Sequence, residues 1–191
     1  MKNFLKEYAD KESQLITNLS ATEFQKAIDI LNDAYKKGKQ IFIVGNGGSA
    51  STANHFVCDL GKNGVQKKGQ RRFRIISLSD NTEKITAFGN DVAFEEIFSE
   101  QLENLMNDGD VLIVLSASGN SPNLIKACEF AEKKNAKIIG LTGFDGGKVM
   151  NFAHSNLIVQ AESYEQIEDV HLMILHMIVS YYKVYPNVLT D

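Results

Sequence analysis

The chain has 191 residues, 43% of them hydrophobic and 23% charged, and a formal net charge of −4. That size supports one domain with a sizeable buried core. The acidic balance excludes an overall basic field that would recruit nucleic acid or an anionic lipid surface, so any site for a phosphorylated ligand must rest on local dipoles and hydroxyls.

In chain order, residues 3–19 and 22–37 read as two helices, the second capped by Ser20 or Thr22 and stopped by Gly38. Strands and helices then alternate. Strand 40–44 is apolar and β-branched, and a helix follows from about Ser49 to Leu60. Lys67, Lys68, Arg71, Arg72 and Arg74 form a basic loop leading into strand 73–78. It is expected to be solvated, with steering of an anionic sugar as its lesser reading. One helix is expected from near Asp80 and another over 93–106, with Gly89-Asn90-Asp91 either a turn between them or a hydroxyl-binding loop. Strand 111–115 leads into a helix with Ser121 as its cap and Pro122 at its first position. Strand 137–141, a helical turn after Gly146-Gly147, strand 155–159 and a closing helix over 164–184 complete the pattern.

Short apolar strands separated by helices predict βαβ units and a parallel sheet covered on both faces. The expected fold is α/β: a three-layer αβα sandwich with a five-stranded parallel sheet, flavodoxin-like, preceded by an N-terminal helical pair. Ligands bind such sheets at the carboxyl ends of the strands. With no linker, repeat or low-complexity tract, residues 1–191 read as one domain. The closing helix is apolar around most of its girth. It is either buried within its own domain or, with the amphipathic helices of residues 1–38, part of a subunit interface. No signal-peptide core stands at the N-terminus, and the longest apolar stretch, near 170–182, is interrupted by His171 and His176 and too short for a bilayer. A cytoplasmic protein without membrane contact is expected. Cys58 and Cys128 lack metal or redox spacing and are expected to be reduced core thiols.

Two strand-to-helix junctions carry the chemistry: Gly45-Asn46-Gly47-Gly48-Ser49 and Ser116-Ala117-Ser118-Gly119-Asn120-Ser121. Small residues and hydroxyls there, with the free N–H groups of a helix start, make an anion site. Gly45-x-Gly47-x-x-Ala50 also fits a loose dinucleotide pattern, but that reading wants an acidic residue about 20 positions on. The region near 65 is basic and Asp80 comes too late, so no nucleotide cofactor is expected. His55 and Asp59, spaced i, i+4, share a helix face. Glu168 and His176 lie about 80° apart around the last helix and about 12 Å apart along it. Together the four suit zinc or another divalent metal. On spacing alone, a surface His–Asp pair and a satisfied core histidine are the commoner outcomes.

These loops, with His55-Phe56, Gly89-Asn90-Asp91, Leu141-Thr142-Gly143-x-Asp145-Gly146-Gly147 and Ile167-Glu168-Asp169-Val170-His171 through His176, resemble the phosphoheptose isomerases, which are sugar isomerase (SIS) domain proteins. The resemblance runs in order along nearly the whole chain. It implies a homotetramer with sites at subunit interfaces. It also implies an aldose–ketose isomerase that converts sedoheptulose 7-phosphate to D-glycero-D-manno-heptose 7-phosphate, towards lipopolysaccharide, capsule or other surface glycans. By position, Ser49, Ser116, Ser118 and Ser121 would hold the phosphate, with Ala117 in the same loop. Asn46, Gly47, Gly48, Asn90 and Asp91 would line the sugar site. Asp59 falls on the family's catalytic Glu, the general base, and His176 on its catalytic His, the general acid. His55 falls on a zinc-binding His, and Glu168 on a Gln that contacts substrate and metal. Two departures stand out: Asp59 shortens the base by a methylene, and Glu168 adds an anion. The alternative class is a non-catalytic SIS-domain phosphosugar binder or replication-initiation regulator. In the replication-initiation type the acid/base residues are degraded, whereas His176 and a carboxylate at 59 remain here.

Overall fold

The computed structural model describes residues 1–65 and 67–189. Five parallel strands, β1 (Gln40–Gly45), β2 (Arg74–Ser77), β3 (Val111–Ser116), β4 (Lys137–Gly143) and β5 (Ser155–Val159), form one sheet in the order β2-β1-β3-β4-β5. This is the expected flavodoxin-like order, whose switch point lies between β1 and β3. Strand alternation sorts the side chains into two cores. Ile41, Ile43, Ile113, Leu115, Ile139 and Leu141 pack on one face against α2 (Ala21–Lys37), α3 (Gly48–Asn63) and α7 (Tyr164–Val184). Phe42, Val44, Leu112, Val114 and Ile138 pack on the other against α5 (Ser99–Leu105) and α6 (Pro122–Lys133). Near-continuous apolar strands are what a sheet covered on both faces requires.

α7 buries Ile167, Val170, Ile174, Leu175, Ile178 and Tyr182 within its own chain, which accounts for its apolar girth. α1 (Lys2–Thr17) contacts α7 but buries only Glu12, and leaves Phe4 and Leu5 exposed. Burial, and after it the Asp169 carboxylate, push the Glu12 carboxyl up, and Tyr8 Oη donates to Asp169 at 2.7 Å.

The structure settles the sequence pattern in one place and departs from it in several others. α2 is capped by Ser20, whose Oγ accepts from Glu23 N at 3.2 Å. α4 (Thr82–Asp91) is capped by Asn81 rather than Asp80: the Asn81 side chain accepts from Lys84 N at 2.8 Å. Gly89-Asn90-Asp91 is the last turn of α4, so the turn expected there falls at Val92 and Ala93. The helix expected over 93–106 divides into a 3-10 turn at Phe94–Glu96 and the short α5, because Ile97 and Phe98 point into the core between them. The basic loop is not merely solvated. Arg71 donates to Tyr35 O and Lys36 O and stacks on the Tyr35 ring at 4.9 Å. Arg72 donates to Gly61 O at 3.1 Å and Arg74 to Gly38 O at 3.0 Å. These arginines satisfy carbonyls at the C-terminal ends of α2 and α3, where a cation is favoured. Cys128 is a buried thiol, pushed up to about 12 by desolvation, whereas Cys58 is exposed and not a core residue.

His171 sits under the sheet at 1% exposure without a well-formed hydrogen bond to either ring nitrogen. Burial pulls it down to about 4, opposed in part by the Thr142 backbone. The folded state therefore holds the neutral imidazole, while the unfolded chain gains a proton below its ordinary value of 6.5. Stability is then lost as pH falls from 6.5 towards 4, by up to about 3 kcal/mol. Chemical denaturation at stepped pH checks this: His171→Leu is expected to flatten the loss across that window.

Candidate functional site

Three segments meet at the carboxyl ends of β1 and β3. The first is the glycine loop after β1. Gly47 takes φ +53, open to glycine, as α3 begins. The loop is pinned by Ser79, whose Oγ donates to Gly45 O at 2.8 Å and accepts from Gly45 N at 3.2 Å. The second is the serine loop after β3. Ser116 Oγ accepts from Gly119 N at 3.0 Å, and Ser118 Oγ accepts from Asn120 N at 3.2 Å. Each serine spends acceptor capacity on its own loop and keeps its O–H to donate. Ser121 occupies the N-cap of α6, yet its side chain makes no capping hydrogen bond. The third segment is the start of α7, with Tyr164 and Glu168.

Asn46, Ser49, Ser116, Ala117, Ser118, Ser121, Tyr164 and Glu168 line a cavity of about 140 Å³, closed behind by Leu115 and Leu124. That is room for about four waters, or for a tetrahedral oxyanion. A wider hollow of about 490 Å³ adjoins it, sharing Asn46 and Ser121 and bounded by Ala93, Phe94 and Pro122. Hydroxyls at a switch point beside a helix start form a donor-lined anion cradle.

The serine loop is held from behind. Gly119 has φ +63 and packs so tightly that an added Cβ would lie 2.2 Å from Gly146 O. Val149 N donates to Gly119 O at 3.0 Å and Gly143 N to Ala117 O at 2.8 Å. Across the crevice, Asn46 and Asn123 exchange amide hydrogen bonds, both at 2.9 Å. This pair fixes the distance between the two loops. Asn123 and Tyr164 were not singled out from sequence. Asn123 directly follows the Ser121-Pro122 helix start, which is the only sequence cue to it.

The titratable residues form a second group. His55 and Asp59 on α3 meet His176 on α7. Asp59 Oδ2 stands 3.2 Å from His55 Nε2 and 3.4 Å from His176 Nε2, and the two Nε2 atoms are 3.2 Å apart. Asn63 Nδ2 reaches Asp59 Oδ1 at 3.5 Å. Two imidazole nitrogens and a carboxylate oxygen thus converge within 4.8 Å, a set able to hold a metal ion. Tetrahedral coordination with bonds of about 2.0–2.1 Å separates ligand atoms by about 3.3–3.4 Å, close to the observed spacing.

Not every expected site residue joins these groups. Glu168 stands outside the His–Asp–His cluster. Its carboxylate lies over Gly48, where an added Cβ would be 2.4 Å from Oε2, and faces the serine cavity. Gly47 and Gly48 are exposed, and neither lines the cavity, although Gly48 lies beside the Glu168 carboxylate. Asn90 and Asp91 are exposed at the end of α4, where Asn90 Nδ2 donates to Asp91 Oδ1 at 2.8 Å, and they line neither hollow of this chain.

The fold and site define a class: a flavodoxin-like α/β domain with a hydroxyl-lined cavity at its switch point and a His–Asp–His cluster, able to hold a metal ion, on the neighbouring helices. The family model described as SIS domain matches residues 3–143. The phosphoheptose isomerase of Helicobacter hepaticus is 42% identical over 154 residues, covering 81% of this chain and 78% of that protein. That of Citrifermentans bemidjiense is 38% identical over 178 residues, covering 93% and 91%. A solved phosphoheptose isomerase from Neisseria gonorrhoeae superposes with a TM-score of 0.84 at 27% identity, covering 96% of each chain. The chain belongs to the SIS-domain family, within its phosphoheptose isomerase branch.

Proposed function

We propose that this protein is an aldose–ketose isomerase that interconverts sedoheptulose 7-phosphate and D-glycero-D-manno-heptose 7-phosphate. The observation that carries the reading is the pairing of a hydroxyl-lined cradle at the switch point with a converging His–Asp–His cluster on the neighbouring helices. The substrate has the same two ends: a phosphate ester at one and a carbonyl at the other.

In this reading Ser49, Ser116, Ser118 and Ser121 donate to the phosphate. Binding energy gained there, away from the reacting carbons, positions the carbonyl end. Asp59 takes the proton from C1 of the ketose while His176 gives one to the C2 oxygen, leaving an enediol. Return of a proton to C2 and loss of the C1 hydroxyl proton give the aldose. His55 orients the Asp59 carboxylate. The donor set of His55, Asp59 and His176 fits zinc, which when bound would polarise the substrate oxygens. The exposed apolar side chains of α1 and the exposed Asn90 and Asp91 support assembly of several copies, a tetramer in the family pattern, in which a neighbouring copy brings Asn90 and Asp91 to the sugar. Heptose for lipopolysaccharide or capsule is the expected destination. A cytoplasmic setting is part of this reading; among the described residues no helix is long and apolar enough to cross a membrane.

Incubation of the purified protein with sedoheptulose 7-phosphate, followed by 31P and 13C NMR, tests the reading. Appearance of an aldoheptose 7-phosphate up to a fixed equilibrium ratio is expected. Binding of the ester without conversion would favour the non-catalytic phosphosugar-binding alternative.

A further inference from the structure

The amide pair that joins the two loops does more than space them. Asn46 Nδ2 donates to Asn123 Oδ1 and Asn123 Nδ2 to Asn46 Oδ1, both at 2.9 Å, so the two carboxamides close a ring. A carboxamide carries two donor hydrogens and two acceptor lone pairs. The ring uses one of each from either partner and leaves Asn46 one N–H and one lone pair. Among the described residues neither side chain makes another hydrogen bond. The ring also fixes which way Asn46 is turned. Half a turn of its amide would set N–H against N–H and oxygen against oxygen.

The two partners are placed differently. Asn123 is 2% exposed, in the first turn of α6 directly after Pro122, whose ring fixes the helix start. Asn46 is half-buried and lines both the serine cavity and the wider hollow beside it. It therefore stands where a phosphate ester in the cavity would continue as a carbon chain. A free N–H and a free lone pair at that point match a hydroxyl, which both accepts and donates. They serve only while turned to the ligand, and the terminal torsion of an unpaired Asn is broad.

We infer that Asn123 is a positioning residue for ligand binding. It acts through Asn46, whose carboxamide it holds in the orientation that meets the ester and the first hydroxyls of its carbon chain. The inference rests on the isomerase reading given above, from which it takes a polyhydroxy ester as the ligand.

A double-mutant cycle tests this, with calorimetric affinity for sedoheptulose 7-phosphate as the first readout and steady-state kinetics as the second. Asn123→Leu fills nearly the same space and removes both hydrogen bonds. Asn123→Ala is the second variant, and thermal unfolding establishes that each is folded. Either is expected to weaken ester binding about three- to tenfold, seen in the kinetics as a raised KM with kcat little changed. Asn46→Ala is expected to lose at least as much. In the Asn46→Ala background, replacing Asn123 is expected to cost nothing further, because the group it positions is gone. A merely structural role would give the same loss in both backgrounds. That result, or an unchanged ester affinity in both Asn123 variants, would overturn the inference. If the wild-type chain binds sedoheptulose 7-phosphate without converting it, the isomerase reading falls, while the affinities still decide the role of Asn123.

Discussion

His176→Ala is expected to lower kcat for isomerisation by about a thousandfold or more, with phosphosugar affinity held within about threefold. The split follows from geometry. His176 stands with His55 and Asp59, while the serine cavity is lined by Asn46, Ser49, Ser116, Ala117, Ser118, Ser121, Tyr164 and Glu168. In the proposed mechanism, removing the imidazole takes away a proton donor that acts only as charge develops on the substrate oxygen, and such losses appear in kcat rather than in binding. It also removes one of three candidate metal donors, so metal content measured on the same preparation should fall with it. Steady-state kinetics and calorimetry with sedoheptulose 7-phosphate check the two halves. Turnover close to wild type would remove His176 from the proton path. Equal loss of binding and turnover would show that His176 shapes the ester site instead.

Gly119→Ala is expected to damage both stability and binding. At φ +63 an alanine pays about 1–2 kcal/mol for its Cβ alone. Here that Cβ would also lie 2.2 Å from Gly146 O and 2.7 Å from Gly146 C, backbone atoms that cannot swing aside. Either the serine loop or the Gly146-Gly147 loop must move, and the hydrogen bond from Val149 N to Gly119 O is lost with it. A loss of about 2–4 kcal/mol is expected, seen as a fall in Tm of about 5–15 °C, with phosphosugar affinity down at least tenfold. Gly69→Ala is the control. It too has positive φ, +89, but nothing lies within 4 Å of the added Cβ. It should cost only the conformational strain and leave ligand affinity unchanged. If Gly119→Ala behaved like Gly69→Ala, the interlocked loops would not be what holds the serines in place.

The strands and the two polar loops were legible because their signals are local. Runs such as Ile41-Phe42-Ile43-Val44 and Leu112-Ile113-Val114-Leu115 are apolar at every position, as a doubly covered sheet demands, and the glycines and serines follow at once. What stayed hidden depends on distant partners. The helix expected over 93–106 breaks because Ile97 and Phe98 are drawn into the core, a tertiary pull that outweighs helical periodicity. The Arg71 and Arg72 side chains look like surface charge until the ends of α2 and α3 are seen beside them. Asn46 and Asn123 are 77 positions apart, and nothing local marks either as the other's partner. Ser121 was legible as a helix cap, and the structure frees its hydroxyl from that task. For the metal-type cluster, the i, i+4 spacing of His55 and Asp59 was visible, but the packing of α7 on α3 selects His176 to join them and leaves Glu168 beside the serines.

One division of labour underlies the whole account: an ester held by the β3 loop and proton transfer carried out between α3 and α7. A crystal structure of the His176→Ala protein with sedoheptulose 7-phosphate bound tests it most directly. The phosphate is expected on Ser116, Ser118 and Ser121, with C1 and C2 within hydrogen-bonding reach of Asp59. A phosphate bound elsewhere, or a carbonyl end turned away from Asp59 and His55, would contradict it.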